Sequence, residues 1–178
     1  MNLLFAHNYA ELFSVPVTAL RFFTVYGPWG RPDMSPMIFA RKILAGEPLE
    51  VFNFGKHRRD FTYIGDIVEG VVRVLVKPPV ANPAWDAVTA SPSSSRSPFR
   101  ICNIGHSEPV ELLYFIELLE RALGREAQKT LLPMQPGDVE STYADMSHLE
   151  ALVGYRPQVS IEEGVERFVS WYRARYTH

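Results

Sequence analysis

The segment of residues 17–23, VTALRFF, limits the possible folds more than any other part of the sequence. It contains few polar residues and is rich in β-branched and aromatic side chains, which is typical of a parallel strand covered on both faces. A loop rich in glycine and proline follows at once, from Gly27 to Pro32. Because ligands of open α/β sheets bind beyond the carboxyl ends of the strands, residues 21–34 predict a ligand site. The alternative is an ordinary turn-rich connection with a solvated arginine.

The other apolar patterns alternate between strand and helix periodicity and therefore predict an α/β fold. Further strands are expected at residues 49–55, 60–64 and 100–105, and residues 129–133 are expected to form a short strand or an extended segment. Helices are expected at residues 2–13, 36–45, 67–75, 109–123, 146–153 and 161–172. The candidate residues at the helix starts are Asp33 or Ser35, Asp66, Pro109, Asp145, and Ser160 with Glu163 in an S-x-x-E capping box.

Two segments bear on domain organisation. The helix pattern of residues 2–13 has no capping residue before it, which predicts that this sequence starts in the middle of a larger protein. Residues 78–98 are rich in proline and serine and lack periodicity, so they predict a long, mobile surface loop. A strand pattern resumes directly after this loop, and we therefore expect residues 1–178 to form one unit.

The charge and size of the chain exclude several classes of protein. The chain has 178 residues, of which 47% are hydrophobic, and this is enough for one domain with a real core. Its formal net charge of −2 gives no basic surface for nucleic acid or for an anionic membrane. The longest apolar stretches are too short to span a membrane.

The single cysteine, Cys102, lies inside the apolar run RICNI. One cysteine cannot form a disulfide within the chain, and an apolar setting favours a buried, inert thiol over a nucleophile. This usage is typical of a reducing compartment and predicts a cytoplasmic protein.

A few polar residues are candidates for ligand binding. Arg58, Arg59 and Asp60 predict either a phosphate clamp or a solvated hairpin tip, since guanidinium donors match phosphate oxygens in pairs. Asp138, after a Pro-Gly turn, predicts either a contact to a ribose diol or a simple turn residue. The five histidines are scattered without the spacing of metal ligands, and no metal site is predicted.

Successive blocks of the sequence resemble one protein family. They are LRFFTVYGPWGRPDM, RRDFTYIGDIVEGV, NIG followed by PVELL, MQPGDV followed by ADMS, and EGVERFVSWYRARY. In this order they resemble the C-terminal half of the NAD-dependent UDP-glucuronate 4-epimerases, which belong to the extended short-chain dehydrogenase superfamily. The resemblance implies the C-terminal part of a Rossmann-like fold with a small mixed α/β substrate-binding subdomain. Residues 1–23 would be the end of the Rossmann part, and the N-terminal dinucleotide-binding half would be absent.

The resemblance also implies roles for individual residues. Those near the reacting end are Phe22 and Phe23 beside the nicotinamide of NAD, and Thr24 and Arg31 beside the sugar, with Arg31 pairing with its carboxylate. Those at the nucleotide end are Val51 and Phe52 beside the uracil, Arg59 on the diphosphate and Asp138 on the ribose. Related galactose epimerases have a second phosphate-binding arginine where this chain has Gln135, so one clamp is missing or is supplied differently.

The catalytic groups of the family are not in this sequence. Its glycine-rich G-x-x-G-x-x-G turn and its Tyr-x-x-x-Lys pair do not occur here. The resemblance implies that Met1 falls just after the lysine of that pair. The resemblance implies that full-length members bind NAD and convert UDP-glucuronate to UDP-galacturonate through a 4-keto sugar. We expect this chain to bind a UDP-sugar, to lack bound NAD and to be inactive alone.

We also consider two alternative functions and expect the chain to associate with itself. The chain could be a stand-alone UDP-sugar-binding module, or part of a related UDP-glucuronate decarboxylase or sugar 4,6-dehydratase. An unpaired edge of the 17–23 strand and an exposed apolar helix face would favour homo-oligomers formed through residues 2–23.

Overall fold

The structure is a computed structural model that describes residues 3–176 and has an α/β fold with parallel strand pairs, as predicted. Its helices are α1 (Leu3–Phe13), α2 (Ser35–Ala45), α3 (Ile64–Leu75), α4 (Leu112–Leu123), α5 (Ser147–Val153) and α6 (Ile161–Tyr176). Its strands are β1 (Val17–Phe22), β2 (Thr24–Tyr26), β3 (Leu49–Val51), β4 (Arg58–Arg59), β5 (Phe61–Tyr63), β6 (Phe99–Ile104), β7 (Val110–Glu111) and β8 (Lys129–Leu131).

The strands pair two by two. Strand β1 runs parallel to β6, β2 to β5 and β3 to β8, whereas β4 and β7 are antiparallel. The predicted parallel strand at residues 17–23 is therefore confirmed, but its carboxyl end is not covered: Arg21 and Phe22 are exposed. Among the described residues, β1 has a strand on one edge only.

The main core lies between α2, α4 and α6. The rings of Phe61 and Phe115 stack with their centroids 4.2 Å apart, and Phe115 and Phe168 are fully buried. A second cluster joins α3, α5 and β6 around Ile104 and Leu149. These buried positions follow the helical spacing of apolar residues seen in the sequence, because that spacing places them on one face of each helix.

Several helix ends follow the sequence closely. Gly46, Gly124 and Gly154 adopt the left-handed conformation and end α2, α4 and α5, as their positions predict. The hydroxyl oxygen of Ser160 accepts a hydrogen bond from the backbone N–H of Glu163 at 3.2 Å, as expected for the start of α6.

Other predicted helix starts are wrong. Helix α2 begins after Met34 without a side-chain cap, because Asp33 pairs with Arg31 instead. Residues 110–111, which follow Pro109, form strand β7, and α4 starts only at Leu112. The carboxylate of Asp145 accepts the N–H of Ser147 at 3.0 Å from one position before the N-cap.

Asp66 is not a cap but a buried link between two parts of the chain. It lies in the first turn of α3, after an N-cap at Tyr63. Its carboxylate accepts the hydroxyl of Tyr155 at 3.0 Å and the backbone N–H groups of Gln158 and Val159 at 3.1 and 2.9 Å. These bonds fasten the segment before α6 onto α3.

The predicted strand at residues 49–55 is only half correct. It ends at Val51, and a 3-10 turn, Phe52–Gly55, follows. Asn53 and Phe54 have φ values of 51° and 50°, which no strand can contain. Because the chain turns after Val51, the side chain of Phe52 does not follow the alternating pattern of a continuing strand.

Residues 78–98 contain no helix or strand, which agrees with the predicted loop. Its end is not on the surface, however, because Ser95 and Ser97 are buried. The Oγ atom of Ser95 lies 2.8 Å from Nε2 of His7, so the loop is attached to α1. Its mobility stays a prediction.

No helix within residues 3–176 is both long enough and apolar enough to cross a membrane. The helix predicted at residues 2–13 is present as α1 from Leu3 onward. Residue 2 lies outside the described part of the chain.

Candidate functional site

A cleft of about 340 Å³ lies beside strands β3 and β4, near the start of α2. Among the predicted site residues, Phe52, Arg59 and Asp138 line it together. Its other lining residues are Asp33, Ser35, Ile38, Phe39, Lys42, Leu49, Glu50, His57, Phe61 and Leu112. The cleft therefore has an apolar wall and a charged end, which is the usual composition of a small-molecule site.

Arg59 and Asp138 form the charged end. One guanidinium nitrogen of Arg59, Nη2, lies 3.1 Å from Oδ1 of Asp138. The other, Nη1, donates to the backbone oxygens of Arg58 and Glu140, both at 3.1 Å. The Arg59 side chain is only 19% exposed. Its position is thus fixed by the backbone on both sides, and its unused donors can serve an anion.

The turn of residues 135–138 brings Asp138 to this position. The N–H of Asp138 donates to the carbonyl oxygen of Gln135 at 3.1 Å, and Gly137 has a φ of 84°, which favours glycine. The N–H of Val139 donates to Oδ1 of Asp138 at 2.9 Å. Gln135 itself is exposed and does not line the cleft.

Asp60 has a structural role, and the prediction of a charged hairpin tip at residues 58–60 is wrong. Its carboxylate is fully buried and accepts the backbone N–H groups of His106 at 2.7 Å, Ser107 at 3.0 Å and Ala144 at 2.8 Å. Arg58 and Arg59 form strand β4, paired with β7, and the guanidinium of Arg58 donates to the carbonyl oxygen of Pro109. Of the three, only Arg59 faces the cleft.

Phe52 and Val51 differ in what they present to the cleft. Phe52 lines it, whereas the side chain of Val51 is fully buried in the core. The carbonyl oxygen of Val51 accepts the N–H of Leu132 at 2.9 Å. Any contact between Val51 and a ligand would have to use the backbone.

The predicted sugar-side and cofactor-side residues lie outside the lining of the cleft. Thr24 starts β2, and its N–H donates to the carbonyl oxygen of Asp60 at 3.1 Å. Phe22 is 54% exposed at the carboxyl end of β1. Phe23 packs against the second core cluster. The structure thus places these residues near strand ends, as the sequence predicts, but not inside this cleft.

Arg31 is exposed and is held by a neighbour. Its Nε donates to Oδ1 of Asp33 at 3.1 Å, and its Nη2 donates to Oδ2 of the same carboxylate. This hydrogen bonding holds the pKa of the Asp33 carboxyl below its usual value. Since Asp33 lines the cleft, Arg31 stands at its rim.

His57 and Lys42 are cleft residues that the sequence did not single out. Nε2 of His57 lies 3.2 Å from Oδ2 of Asp138. His57 was one of several scattered histidines, and its position became informative only once Asp138 was placed beside it. Lys42 lies on α2 among ordinary surface positions, where nothing in the sequence distinguishes it.

The residues of this chain do not fit a complete dinucleotide site. Within residues 3–176, no turn between a strand and a helix carries the three-glycine pattern that holds the pyrophosphate of NAD. Phe22 offers one exposed aromatic wall, and Phe23 is engaged in packing. Nor do the described residues contain a cluster of histidine, cysteine and carboxylate side chains that could hold a metal ion.

Comparison with known proteins places this cleft in context. Residues 2–85 match the model of the NAD dependent epimerase/dehydratase family. The probable UDP-glucuronate 4-epimerase of Rhizobium meliloti is 50% identical over 174 residues, which are 97% of this chain and 51% of that protein. UDP-glucuronate 4-epimerase 5 of Arabidopsis thaliana is 40% identical over 178 residues, with 97% of this chain and 39% of that protein covered.

A solved structure shows the same relationship. The UDP-glucuronic acid 4-epimerase of Bacillus cereus, in complex with UDP-glucuronic acid and NAD, superposes with a TM-score of 0.77 at 33% identity and covers 96% of this chain and 49% of that one. The chain spans about half the length of these bacterial relatives. The predicted resemblance of the chain to the UDP-glucuronate 4-epimerases is therefore confirmed, and residues 2–85 are similar to the NAD dependent epimerase/dehydratase family.

Proposed function

We propose that this chain is the UDP-sugar-binding portion of an NAD-dependent nucleotide-sugar epimerase that acts on UDP-glucuronate. The observation that carries the proposal is the ordered pair of Arg59 and Asp138 at the charged end of the cleft. A related structure at 33% identity is a complex with UDP-glucuronic acid and NAD, which supports the choice of ligand.

In this proposal the cleft holds the nucleotide. The uracil lies beside Phe52 on the apolar wall, and the free donors of Arg59 bind diphosphate oxygens, because a guanidinium matches them pairwise. The carboxylate of Asp138 accepts from the ribose hydroxyls. Asp60 contributes indirectly, since its bonds to residues 106, 107 and 144 fix the backbone around Arg59.

The uronate end of the ligand extends toward the rim of the cleft. There Arg31 would exchange its partner Asp33 for the carboxylate of the sugar, and Thr24 would contact the ring. This exchange is inexpensive because both Arg31 and Asp33 are largely exposed, and exposed ion pairs contribute little. UDP is then bound tightly in the cleft and the hexose loosely at its rim. Loose binding of the hexose lets the keto sugar rotate within the site, which 4-epimerisation requires.

The chain supplies binding and selectivity but not the chemical step. When bound, NAD supplies the hydride acceptor in this family. The exposed ring of Phe22, at the carboxyl end of β1, would lie beside its nicotinamide, and Phe23, whose ring packs against the second core cluster, would contribute its backbone. We propose that the chain is cytoplasmic. In isolation it binds UDP-sugars and does not epimerise them.

A stand-alone UDP-sugar-binding module is the second candidate. It is favoured by one observation: Phe52, Arg59 and Asp138, the three residues proposed to hold the nucleotide, line the same cleft. Isothermal titration calorimetry with UDP-glucuronate, combined with an assay for UDP-galacturonate, tests the proposal. We expect binding in the micromolar range without turnover. Turnover by the isolated chain, or absence of binding at millimolar ligand, would contradict the proposed function.

We further propose that the chain associates with itself through α1 and β1. The outer face of α1 exposes large apolar side chains, with Leu4 at 72%, Phe5 at 64% and Leu12 at 73% exposed. Apolar surface costs about 25 cal/mol per Å² when left in water, so covering this face stabilises an oligomer.

A further inference from the structure

The side chain of His57 forms part of the cleft wall beside Asp138. It is only 4% exposed, and it lines the cleft together with Arg59 and Asp138. The backbone of His57 is held by α4, because its carbonyl oxygen accepts the N–H of Leu112 at 2.8 Å. The imidazole ring is therefore presented to the cleft from a fixed point of the chain.

Two polar atoms meet at this point without a hydrogen bond between them. Nε2 of His57 is buried and has no hydrogen-bond partner among residues 3–176. Oδ2 of Asp138 lies 3.2 Å away, but the two atoms are not aligned for a hydrogen bond. The hydrogen bonds from Arg59 and Val139 go to the other oxygen of Asp138, Oδ1. A buried polar atom without a partner is uncommon and costs free energy, so its position beside a cleft points to a ligand.

The pair of Nε2 and Oδ2 selects the kind of ligand group. An imidazole nitrogen beside a carboxylate oxygen avoids repulsion between lone pairs when it carries a hydrogen, so Nε2 acts as a donor and Oδ2 as an acceptor. A hydroxyl group satisfies both atoms, because its oxygen accepts one hydrogen bond while its O–H donates another. A phosphate oxygen only accepts, and the negative charge of Asp138 would repel it. The pair therefore fits a hydroxyl group better than a phosphate.

We infer that His57 is a further ligand-contacting residue of this cleft and makes it specific for ribose. Its Nε2–H donates to the oxygen of a ribose hydroxyl, and the same hydroxyl donates to Oδ2 of Asp138. The inference rests on the proposed function, because it takes the ligand to be a nucleoside diphosphate. The side chain of Asp138 is 33% exposed, so a small rotation of its carboxylate admits the hydroxyl between the two side chains.

The test compares three ligands that carry the same base and the same diphosphate. They are UDP, 2′-deoxy-UDP and 3′-deoxy-UDP, and their binding to the wild-type chain is measured by calorimetry at one pH. One of the two deoxy analogues should bind roughly 10- to 100-fold more weakly than UDP, because the missing hydroxyl leaves Nε2 and Oδ2 without a partner. The contribution of Arg59 to phosphate binding is common to all three ligands and cancels.

Two variants assign this preference to His57. His57→Leu removes the donor, so it should weaken UDP binding by roughly tenfold and change the affinity for the weaker deoxy analogue by less than about threefold. His57→Gln keeps a side-chain N–H donor and should bind UDP within about threefold of the wild type. His148→Leu is the control, because His148 lies near Cys102 and away from the cleft, and it should leave all three affinities unchanged.

A further variant separates a direct contact from an indirect one. If His57 only held Asp138 in position, His57→Leu would have no effect on UDP binding once Asp138 is replaced by alanine. A direct contact to the ribose predicts that His57→Leu still weakens UDP binding several-fold in the Asp138→Ala background. Loss of the effect in that background would overturn the contact.

The outcomes distinguish this inference from the proposed function. If the wild type binds UDP and both deoxy analogues equally, or if His57→Leu weakens all three ligands alike, the role of His57 is overturned and the proposed function stands. If UDP does not bind at all, both are overturned.

Should His57→Leu fail to fold, the wild-type chain still decides the question by ¹⁵N nuclear magnetic resonance. The Nε2 signal of His57 should shift on saturation with UDP and shift much less with the weaker deoxy analogue. Equal shifts with both ligands, or no shift with UDP, would overturn the contact.

Discussion

Nη2 of Arg59 lies 3.1 Å from Oδ1 of Asp138, although 79 positions separate the two residues in the chain. The contact depends on two local structures. Strand β4 pairs with β7, which fixes Arg59, and the turn with positive φ at Gly137 returns Asp138 to it. The arginine that would bind an anion is therefore positioned before any ligand arrives, which lowers the entropic cost of binding.

The buried carboxylate of Asp60 should be essential for stability. In Asp60→Asn, an amide nitrogen replaces one acceptor oxygen and faces backbone N–H groups that then lack a partner. We expect the free energy of unfolding to fall by about 3 kcal/mol, measured by urea denaturation. Asp145→Asn, at an exposed position, is the control and should cost less than about 1 kcal/mol. Equal effects of the two substitutions would contradict the buried role of Asp60.

Two glycines of the chain should respond differently to alanine. At Gly164 in α6, a Cβ atom would overlap the hydroxyl oxygen of Tyr26, a side chain that is only 3% exposed. Despite the helix propensity of alanine, Gly164→Ala should lower the free energy of unfolding by about 2 kcal/mol.

Gly154→Ala serves as the comparison. A Cβ atom added at Gly154 meets no atom within 4 Å, so the only penalty is the left-handed φ of 61°. We therefore expect the free energy of unfolding to fall by about 1 kcal/mol, measured by thermal or urea unfolding as for Gly164→Ala. A neutral or stabilising effect of Gly164→Ala would show that α6 does not pack against Tyr26 in this way.

The thiol of Cys102 should react slowly. Burial raises the pKa of this thiol above its usual value, so the fraction present as thiolate at a given pH is smaller than for an exposed cysteine. Reaction with Ellman's reagent at about pH 8 should be at least about 100-fold slower in the native protein than in guanidinium chloride. The rate should rise with pH, since the thiolate is the reacting form. Similar rates in the native and unfolded chains would contradict burial.

The exposed face of α1 should promote association. Leu12→Glu places a charge where apolar side chains would meet, and we expect it to shift the protein toward monomer in multi-angle light scattering. Val88→Glu is the matched control, because Val88 is 90% exposed in the 78–98 loop and lies on no helix face. A wild-type chain that stays monomeric at high concentration would exclude this interface.

The sequence predicted the pieces of the fold better than their junctions. Strand β1 and the stripes of α4 and α6 were predictable because burial follows periodicity closely in long elements. Asp66 was mistaken for a cap because its true partners, Tyr155 and residues 158–159, lie about 90 positions later in the chain. No local pattern reports such partners.

The site was also predictable only in part, because local sequence identifies residue types and turns but not distant partners. Arg59 and Asp138 stand out by residue type and by the turn residues around them, and the structure brings them together. Asp60, next to Arg59, has the same local appearance, yet it is buried and holds the backbone. The contact of Arg31 with the sugar stays a prediction, and in the structure its guanidinium pairs with Asp33, two positions away. Which charge faces the cleft is decided by packing that only the structure shows.

The most direct test of the central claim compares two adjacent arginines. Arg59 lines the cleft, whereas the guanidinium of Arg58 donates to the carbonyl oxygen of Pro109. Calorimetry with UDP should show that Arg59→Gln weakens binding by roughly 10- to 100-fold, the usual value of a hydrogen bond to a charged group, while Arg58→Gln changes it by less than about threefold. Equal affinities of the wild type and Arg59→Gln for UDP would contradict the account.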